Sequence, residues 1–356
     1  MRLDRSTASA LFLVFLLGPL SGCVVHQHVR DGFYTLKHRV QGGYYLEHEK
    51  YKEGIQAFEQ AVAENSASDE AYYYLGRCHL AAGNAAPAMR FLQKAVVLDP
   101  ESADYHYWLG IALHDNGKTG EERACYERAV ARDPAHVPSL VCLGHVLLES
   151  GELEPALAVY IRALRLQPGH PAALYNRALI LHRLGRTPEE TLAWKAYLVR
   201  YPGGLLARKA AAYLNALGDF EYRNHVIGKR TVTLRRIWFE LSSDRIWEDS
   251  IPSLDVLREM LRANRDLRIH VVAYQKRNQP LAEARAKRIR SYLLGRDPGM
   301  DPSRVMTSWF GVPERICIRS KTYEEDASIQ FFTALEGNSR VKAKPTREKA
   351  GRSGAS

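Results

Sequence analysis

Residues 143–168 read Leu143-Gly-His-Val-Leu-Leu-Glu-Ser-Gly151-Glu-Leu-Glu-Pro-Ala156-Leu-Ala-Val-Tyr160-Ile-Arg-Ala163-Leu-Arg-Leu-Gln-Pro168. Two apolar-periodic stretches flank a glycine turn, and a proline closes the segment, which is the pattern of a helical hairpin. The segment is one copy of a repeat. Pro100, Pro134, Pro168 and Pro202 stand 34 residues apart. Gly76, Gly110 and Gly144 keep that spacing, as do Gly83, Gly117, Gly151 and Gly185, and Ala61, Ala95, Ala129 and Ala163. The first glycine and the alanine let paired backbones approach, the second glycine supplies a turn's permissive dihedrals, and proline cannot continue the preceding helix.

These columns, with Tyr72-Tyr-Tyr-Leu75-Gly76, Ala88, Leu92, Ala95 and Pro100 in an earlier copy, resemble the tetratricopeptide repeat. Five units span roughly 35–204. The first has Glu49 in the turn-glycine column and Ser66 in the proline column, and the fifth has Ala178 in the first-glycine column, as terminal repeats often differ. Leu205 to Leu217 reads as a closing helix. The resemblance implies an all-α solenoid with a concave groove lined by the first helix of each unit. In this sequence those positions hold Tyr73, Arg77, Tyr107, His114, His145, Tyr175 and His182. Tyrosine combines contact area with a hydroxyl at low entropic cost, so a protein partner is expected there. Packing between repeats is the competing role for the same tyrosines.

Of the 356 residues, 50 are Lys or Arg and 40 are Asp or Glu, and the resulting +10 is uneven. Residues 23–228 carry 23 acids and 22 bases, whereas 229–339 and 340–356 each carry +5. A neutral central section argues against a nucleic-acid reading surface. At the amino terminus Arg2 and Arg5 precede the apolar run Ala10 to Leu17, too short for the roughly 20 residues of a membrane span, and Gly18-Pro19 follows. This reads as a signal peptide. Leu20-Ser-Gly-Cys23 resembles the lipobox of bacterial lipoproteins, which implies a diacylglycerol on Cys23. Acyl chains anchor at about 0.8 kcal/mol per buried methylene. Val24 in place of Asp implies sorting to the outer membrane, the protein facing the periplasm.

After Thr231 the periodicity becomes alternating. A strand is expected over Val232 to Leu241 with a bulge at Arg235-Arg236, a helix from Ser250 and Pro252, and a second strand over Leu267 to Ala273. A helix over Leu281 to Leu294 and a strand over Ser328 to Thr333 follow. Ile237-Trp-Phe239, Leu267-Arg-Ile-His-Val-Val272 and Leu281-Ala-Glu-Ala-Arg285-Ala286 together resemble the OmpA-like, peptidoglycan-associated domain. That family holds the diaminopimelate of the wall peptide between an Asp and an Arg. Arg285 matches the arginine, but Lys276 falls where the anion belongs, so conventional wall binding is not expected.

The expected architecture is therefore multidomain: a signal peptide (1–22), a tether (23–34), five repeats with a capping helix (35–217) and a linker (218–228). An α+β OmpA-like domain (229–339) and a disordered basic tail (340–356) complete it. No metal, cofactor or catalytic motif is found. Gly110 to Thr119 lacks the phosphate-loop spacing. Cys125 and Cys142 lie on successive helices where a disulfide is conceivable, buried thiols being the alternative. The function read from the residues is a periplasmic interaction scaffold anchored in the outer membrane, with protein partners on the repeats. The alternative is a peptidoglycan anchor through Arg285 and its surroundings, with wall or anionic glycan as partner.

Overall fold

The computed structural model describes residues 22–295 and 299–333, with side chains from residue 35 onward. The segments expected to be a signal peptide, an acyl site on Cys23 and a basic tail lie outside the described side chains. The chain divides into two compact units, 1–173 and 174–356.

In the first unit helices pair as the period requires: α1 (Gly22–Glu47) with α2 (Tyr51–Glu64), and α3 (Asp69–Ala81) with α4 (Ala85–Leu98). Next come α5 (Ala103–Asp115) with α6 (Thr119–Arg132), and α7 (Val137–Glu149) with α8 (Leu153–Leu166). The stretch 23–34, expected as a tether, has helical backbone continuous with α1. The first helices after α1 are capped from a further 34-residue column. Ser68 and Ser102 accept from the N–H groups of Ala71 and Tyr105, while His136 Nδ1 accepts from Ser139 N and His170 Nδ1 from Ala173 N. An imidazole nitrogen thus replaces the hydroxyl oxygen that normally satisfies a free helix N–H.

The turn column behaves as its chemistry dictates. Gly83, Gly117 and Gly151 take φ of 79°, 71° and 79°, and the N–H after each bonds back to a carbonyl five residues earlier, ending the helix. Glu49 occupies the same column with φ 56° and the same closure, Lys50 N to Tyr45 O at 2.9 Å. The first-glycine column is explained by close approach. A Cβ on Gly144 would stand 2.7 Å from the Tyr160 ring, and one on Gly110 would overlap Tyr126. Phe58, Leu92, Tyr126 and Tyr160 fill this column of the second helices, each no more than 1% exposed.

The second unit begins with the last hairpin, α9 (Pro171–Arg183) and α10 (Thr187–Arg200), and α11 (Gly204–Ala216) follows as the closing helix. Trp194 occupies the aromatic column, fully buried and stacked on Tyr213 of α11 at 4.9 Å. The span expected as a linker, 218–228, carries β1 (Tyr222–Ile227), which pairs antiparallel with β2 (Arg230–Arg235). Asn215 of α11 donates to the carbonyls of Asp219 and Tyr222, Asn224 of β1 donates to Arg208 O, and Lys195 of α10 bridges Asp219 and Glu221. Joined this way, the last helices and the hairpin form one packed body.

The rest is α+β: α12 (Ile251–Ala263), β3 (Ile269–Gln275), α13 (Gln279–Leu294), β4 (Val305–Phe310), β5 (Glu314–Ile318), β6 (Lys321–Glu325) and β7 (Ala327–Thr333). β3 is central, parallel to β4 across α13 and antiparallel to β7; β5 and β6 form a hairpin. Leu254, Leu257 and Leu261 of α12 and Ala282, Ala286, Ile289 and Leu293 of α13 close over Ile269, Val271 and Phe331. The strand expected through Leu241 ends instead at Arg235, and Phe239 makes a single bridge to Ile246. The reason is local. Ser253 Oγ takes the Arg235 N–H and Ser250 Oγ takes the Trp238 N–H, so hydroxyls replace a partner strand, and Ser250 makes no side-chain cap for α12.

Candidate functional site

The residues expected to line the repeat groove separate into three environments. Tyr73 is not on an open surface: it is 7% exposed, its ring packs against Tyr74 and Tyr105, both centroids at 4.8 Å, and burial pushes its phenol pKa up. Its hydroxyl accepts from Arg77 Nη1 at 3.1 Å. The alternative reading of this tyrosine as packing between repeats is the one its position fits, because two neighbouring rings enclose it.

His114 and His182 have exposed side chains but a structural partner. His114 Nδ1 lies 3.2 Å from Glu122 and His182 Nδ1 lies 2.8 Å from Glu190; the two glutamates are 5% and 2% exposed. Glu190 also accepts from Trp194 Nε1 at 3.1 Å. Each pair ties the end of a first helix to the start of its second, 68 residues apart in the chain. Tyr175, in the second unit, is half-buried edge-on to Trp194 and Tyr197.

A half-exposed face is left on α3, α5 and α7. Arg77 lies with its guanidinium carbon 4.2 Å from the Trp108 ring centroid and 5.3 Å from that of Tyr73. Tyr107 stands edge-on to Trp108 and to His136, and burial pushes its phenol up to about 12. The Cys142 thiol is hydrogen-bonded with Tyr107 and Tyr126, and burial pushes it up to about 11. His145 packs on Tyr160, and burial lowers its pKa. Asp104 is held below the usual carboxylate range first by its hydrogen bond from His136 Nε2, at 3.1 Å. Trp108, Asp104 and His136 are not singled out by the sequence, and Cys142 reads there as a disulfide or packing residue rather than as part of this face. Tyr74, Trp108 and Cys142 share a 34-residue column beside the chosen one, so column arithmetic applied to the next helix position finds them.

Arg77 Nε is buried and has no acceptor among the described residues. An orphaned buried donor costs about 1–3 kcal/mol. Cys125 and Cys142 are free thiols, as are Cys78 and Cys317.

In the α+β region Arg285 is 9% exposed. It donates to Ser243 O at 3.0 Å, Gln275 Oε1 at 2.5 Å and Glu240 O at 3.5 Å, and stacks on Phe239 at 4.7 Å. It thus clasps the 240–243 loop through neutral oxygens. With Arg236, Trp238, Glu240 and Tyr274 it lines a cleft of about 160 Å³. Lys276 lies outside that lining and pairs with Asp326 at 3.0 Å, joining the end of β3 to the β6–β7 turn. The Glu240 carboxylate pairs with Arg245. Among the described residues no group of three His, Cys, Asp or Glu side chains could hold a metal, and no helix is long and apolar enough to cross a membrane.

Tetratricopeptide-repeat models match residues 45–110, 84–137 and 144–185. Similar solved structures include MamA, 24% identical over 45% of this chain and 93% of that one, with a TM-score of 0.42. YrrB, described as a TPR protein with an unusual peptide-binding site, is 20% identical over 48% and 87%, with a TM-score of 0.43. Pseudomonas aeruginosa pilF is 16% identical over 52% and 86%, with a TM-score of 0.47. No curated protein matches the chain. The chain thus carries tetratricopeptide repeats, followed by a C-terminal α+β region, and such repeats mediate protein–protein interactions.

Proposed function

We propose that this protein is an interaction scaffold that holds a partner protein against the face of α3, α5 and α7. One observation carries the reading: Arg77, Asp104, Tyr107 and Trp108 present charge and aromatic area on successive first helices, none of them fully buried, while fully buried residues such as Leu75, Ala112 and Leu140 hold those helices together. Aromatic and arginine side chains are the groups that concentrate binding energy at interfaces. The lipobox-like Leu20 to Cys23 supports a periplasmic location on the outer membrane, where anchoring raises the effective concentration of a second contact.

A photo-crosslinking amino acid at the exposed Asp104 is expected to capture a discrete partner in cells, and one at the exposed Val97 of α4 is not. Equal capture from both, or none from Asp104, refutes the reading. Palmitate labelling that disappears in Cys23→Ser tests the anchor.

A second reading, a tether to the cell wall, is favoured by the cleft beside Arg285, whose guanidinium hydrogen-bonds neutral oxygens among the described residues. Because the one carboxylate among the cleft residues, that of Glu240, is already paired with Arg245, the mature chain is expected not to co-sediment with purified peptidoglycan. Saturable sedimentation lost in Arg285→Ala would establish the tether instead.

A further inference from the structure

Arg77 is an unfinished cation. Its side chain is laid across Trp108, Tyr73 and Tyr74, with ring centroids 4.2, 5.3 and 5.9 Å from the guanidinium carbon. One donor, Nη1, reaches the Tyr73 hydroxyl, while Nε is buried with no acceptor among the described residues. Asp104, whose carboxylate feels the Arg77 charge, and the acids at the start of α3 are engaged by other groups. Glu70 takes Arg39 and Thr35, Asp69 takes the Tyr105 hydroxyl at 2.8 Å, and Asp104 takes His136. Guanidiniums of the second unit are treated differently: the partly buried Arg223 holds Glu314 through two nitrogens, and the buried Arg304 spends its donors on the carbonyls of Leu261, Asn264 and Leu267.

A guanidinium fixed on aromatic walls is pre-organised, since its flat fork is already immobilised and partly desolvated before any ligand arrives. An incoming carboxylate meets the guanidinium at its Nη end, since Nε is buried, and forms a charge-assisted hydrogen bond there. The half-exposed rings of Trp108 and Tyr107 lie beside it and offer area for an apolar side chain. A lone inorganic anion would leave that aromatic area unused.

We infer that this face recognises an extended protein segment in which an Asp or Glu stands next to an aromatic or large aliphatic residue, with the acid seated on Arg77 and its neighbour on Trp108. The inference rests on the reading of the repeats as a partner-binding surface and adds what that partner must carry.

The test is selection of random heptapeptides displayed on phage against the full mature chain carrying Cys23→Ser, followed by titration of the recovered peptides. Recovered peptides are expected to pair an acid with an adjacent large apolar residue. Arg77→Met is expected to weaken them at least tenfold, and replacing the peptide's Glu by Gln is expected to do the same. In the doubly altered complex the two losses are expected not to multiply. Arg77→Lys, which keeps the charge and loses the fork, is expected to fall between. Trp108→Ala is expected to weaken every peptide that retains the apolar neighbour.

The melting temperature of Arg77→Met is expected to equal or exceed that of the parent, since the substitution removes an unsatisfied buried donor. A drop of several degrees would mark Arg77 as structural and overturn the inference. So would recovery of peptides without an acid, or acidic peptides that bind Arg77→Met as well as the parent. If Asp104 still crosslinks a partner in cells under those outcomes, the scaffold reading stands and only the recognition rule fails.

Discussion

His225 makes the α+β region sensitive to acid, and the size of the effect follows from its surroundings. The imidazole is 7% exposed on β1, edge-on to Phe331, and bonds the Phe331 backbone. Burial, with the Arg223 charge adding to it, lowers its pKa from 6.5 to about 4. Above pH 6.5 both folded and unfolded chains hold it neutral, and the stability is complete. As the pH falls from about 6.5 towards 4, the unfolded chain binds a proton that the folded chain refuses, so stability is lost across that window and levels off below it. At about 1.36 kcal/mol per pKa unit the whole shift corresponds to about 3 kcal/mol, of which about 2 is gone by pH 5.

The comparison is with His225→Gln, which has its own pH-independent cost but no titration. Its stability deficit relative to the parent, from urea midpoints, is expected to shrink by about 2 kcal/mol between pH 7.5 and pH 5. His270, in the same unit, and His38, His79, His106, His145 and His170 are also lowered by burial, and their shared slope cancels in the difference. A deficit that stays constant with pH, or an imidazole of His225 that titrates near pH 6.5 by NMR, refutes the argument.

Glu49 sits at φ 56°, a conformation that costs an L-residue roughly 1–2 kcal/mol, so Glu49→Gly is expected to stabilise the first hairpin by about 1 kcal/mol and slow amide exchange in α1 and α2. Loss of protection there would contradict it. Glu314 is 7% exposed and held by Arg223 at 2.8 and 3.0 Å, by Ser328 at 2.7 Å and by Gln330 at 3.2 Å. Glu314→Gln leaves the Arg223 charge unpaired and is expected to cost about 3–5 kcal/mol by chemical denaturation, and pairing it with Arg223→Met is expected to recover most of that. Cys317 is exposed and is expected to react with a maleimide within minutes. Cys78 and Cys125, pushed up to about 11 by burial, are expected to react only on unfolding.

The repeat half was legible because every unit solves the same packing problem with the same residues. A glycine lies under an aromatic or leucine, another takes a left-handed turn and a proline stops the helix, so a 34-residue period reports all three at once. The α+β half was legible only where a strand is buried on an alternating face, as in β3. β1 reads Tyr222-Arg-Asn-His-Val-Ile227, with buried positions 222, 225 and 227 out of period, and β6 is largely charged. Such strands are defined by their partners, Arg235 opposite Tyr222 and Ile316 opposite Tyr323, which no local pattern encodes.

The same division holds at the candidate sites. The sequence alone set the period, the turn positions and the column to which each side chain belongs, because these depend on backbone geometry that repeats along the chain. Tertiary structure alone decided which members of a column are enclosed. Tyr73 and Tyr107 share a column, yet Tyr73 is sealed between Tyr74 and Tyr105 while Tyr107 stays half-exposed. Exposure depends on the bulk of side chains from neighbouring helices, and Arg77 has no hydrogen-bonded carboxylate among the described residues, Asp104 being engaged by His136.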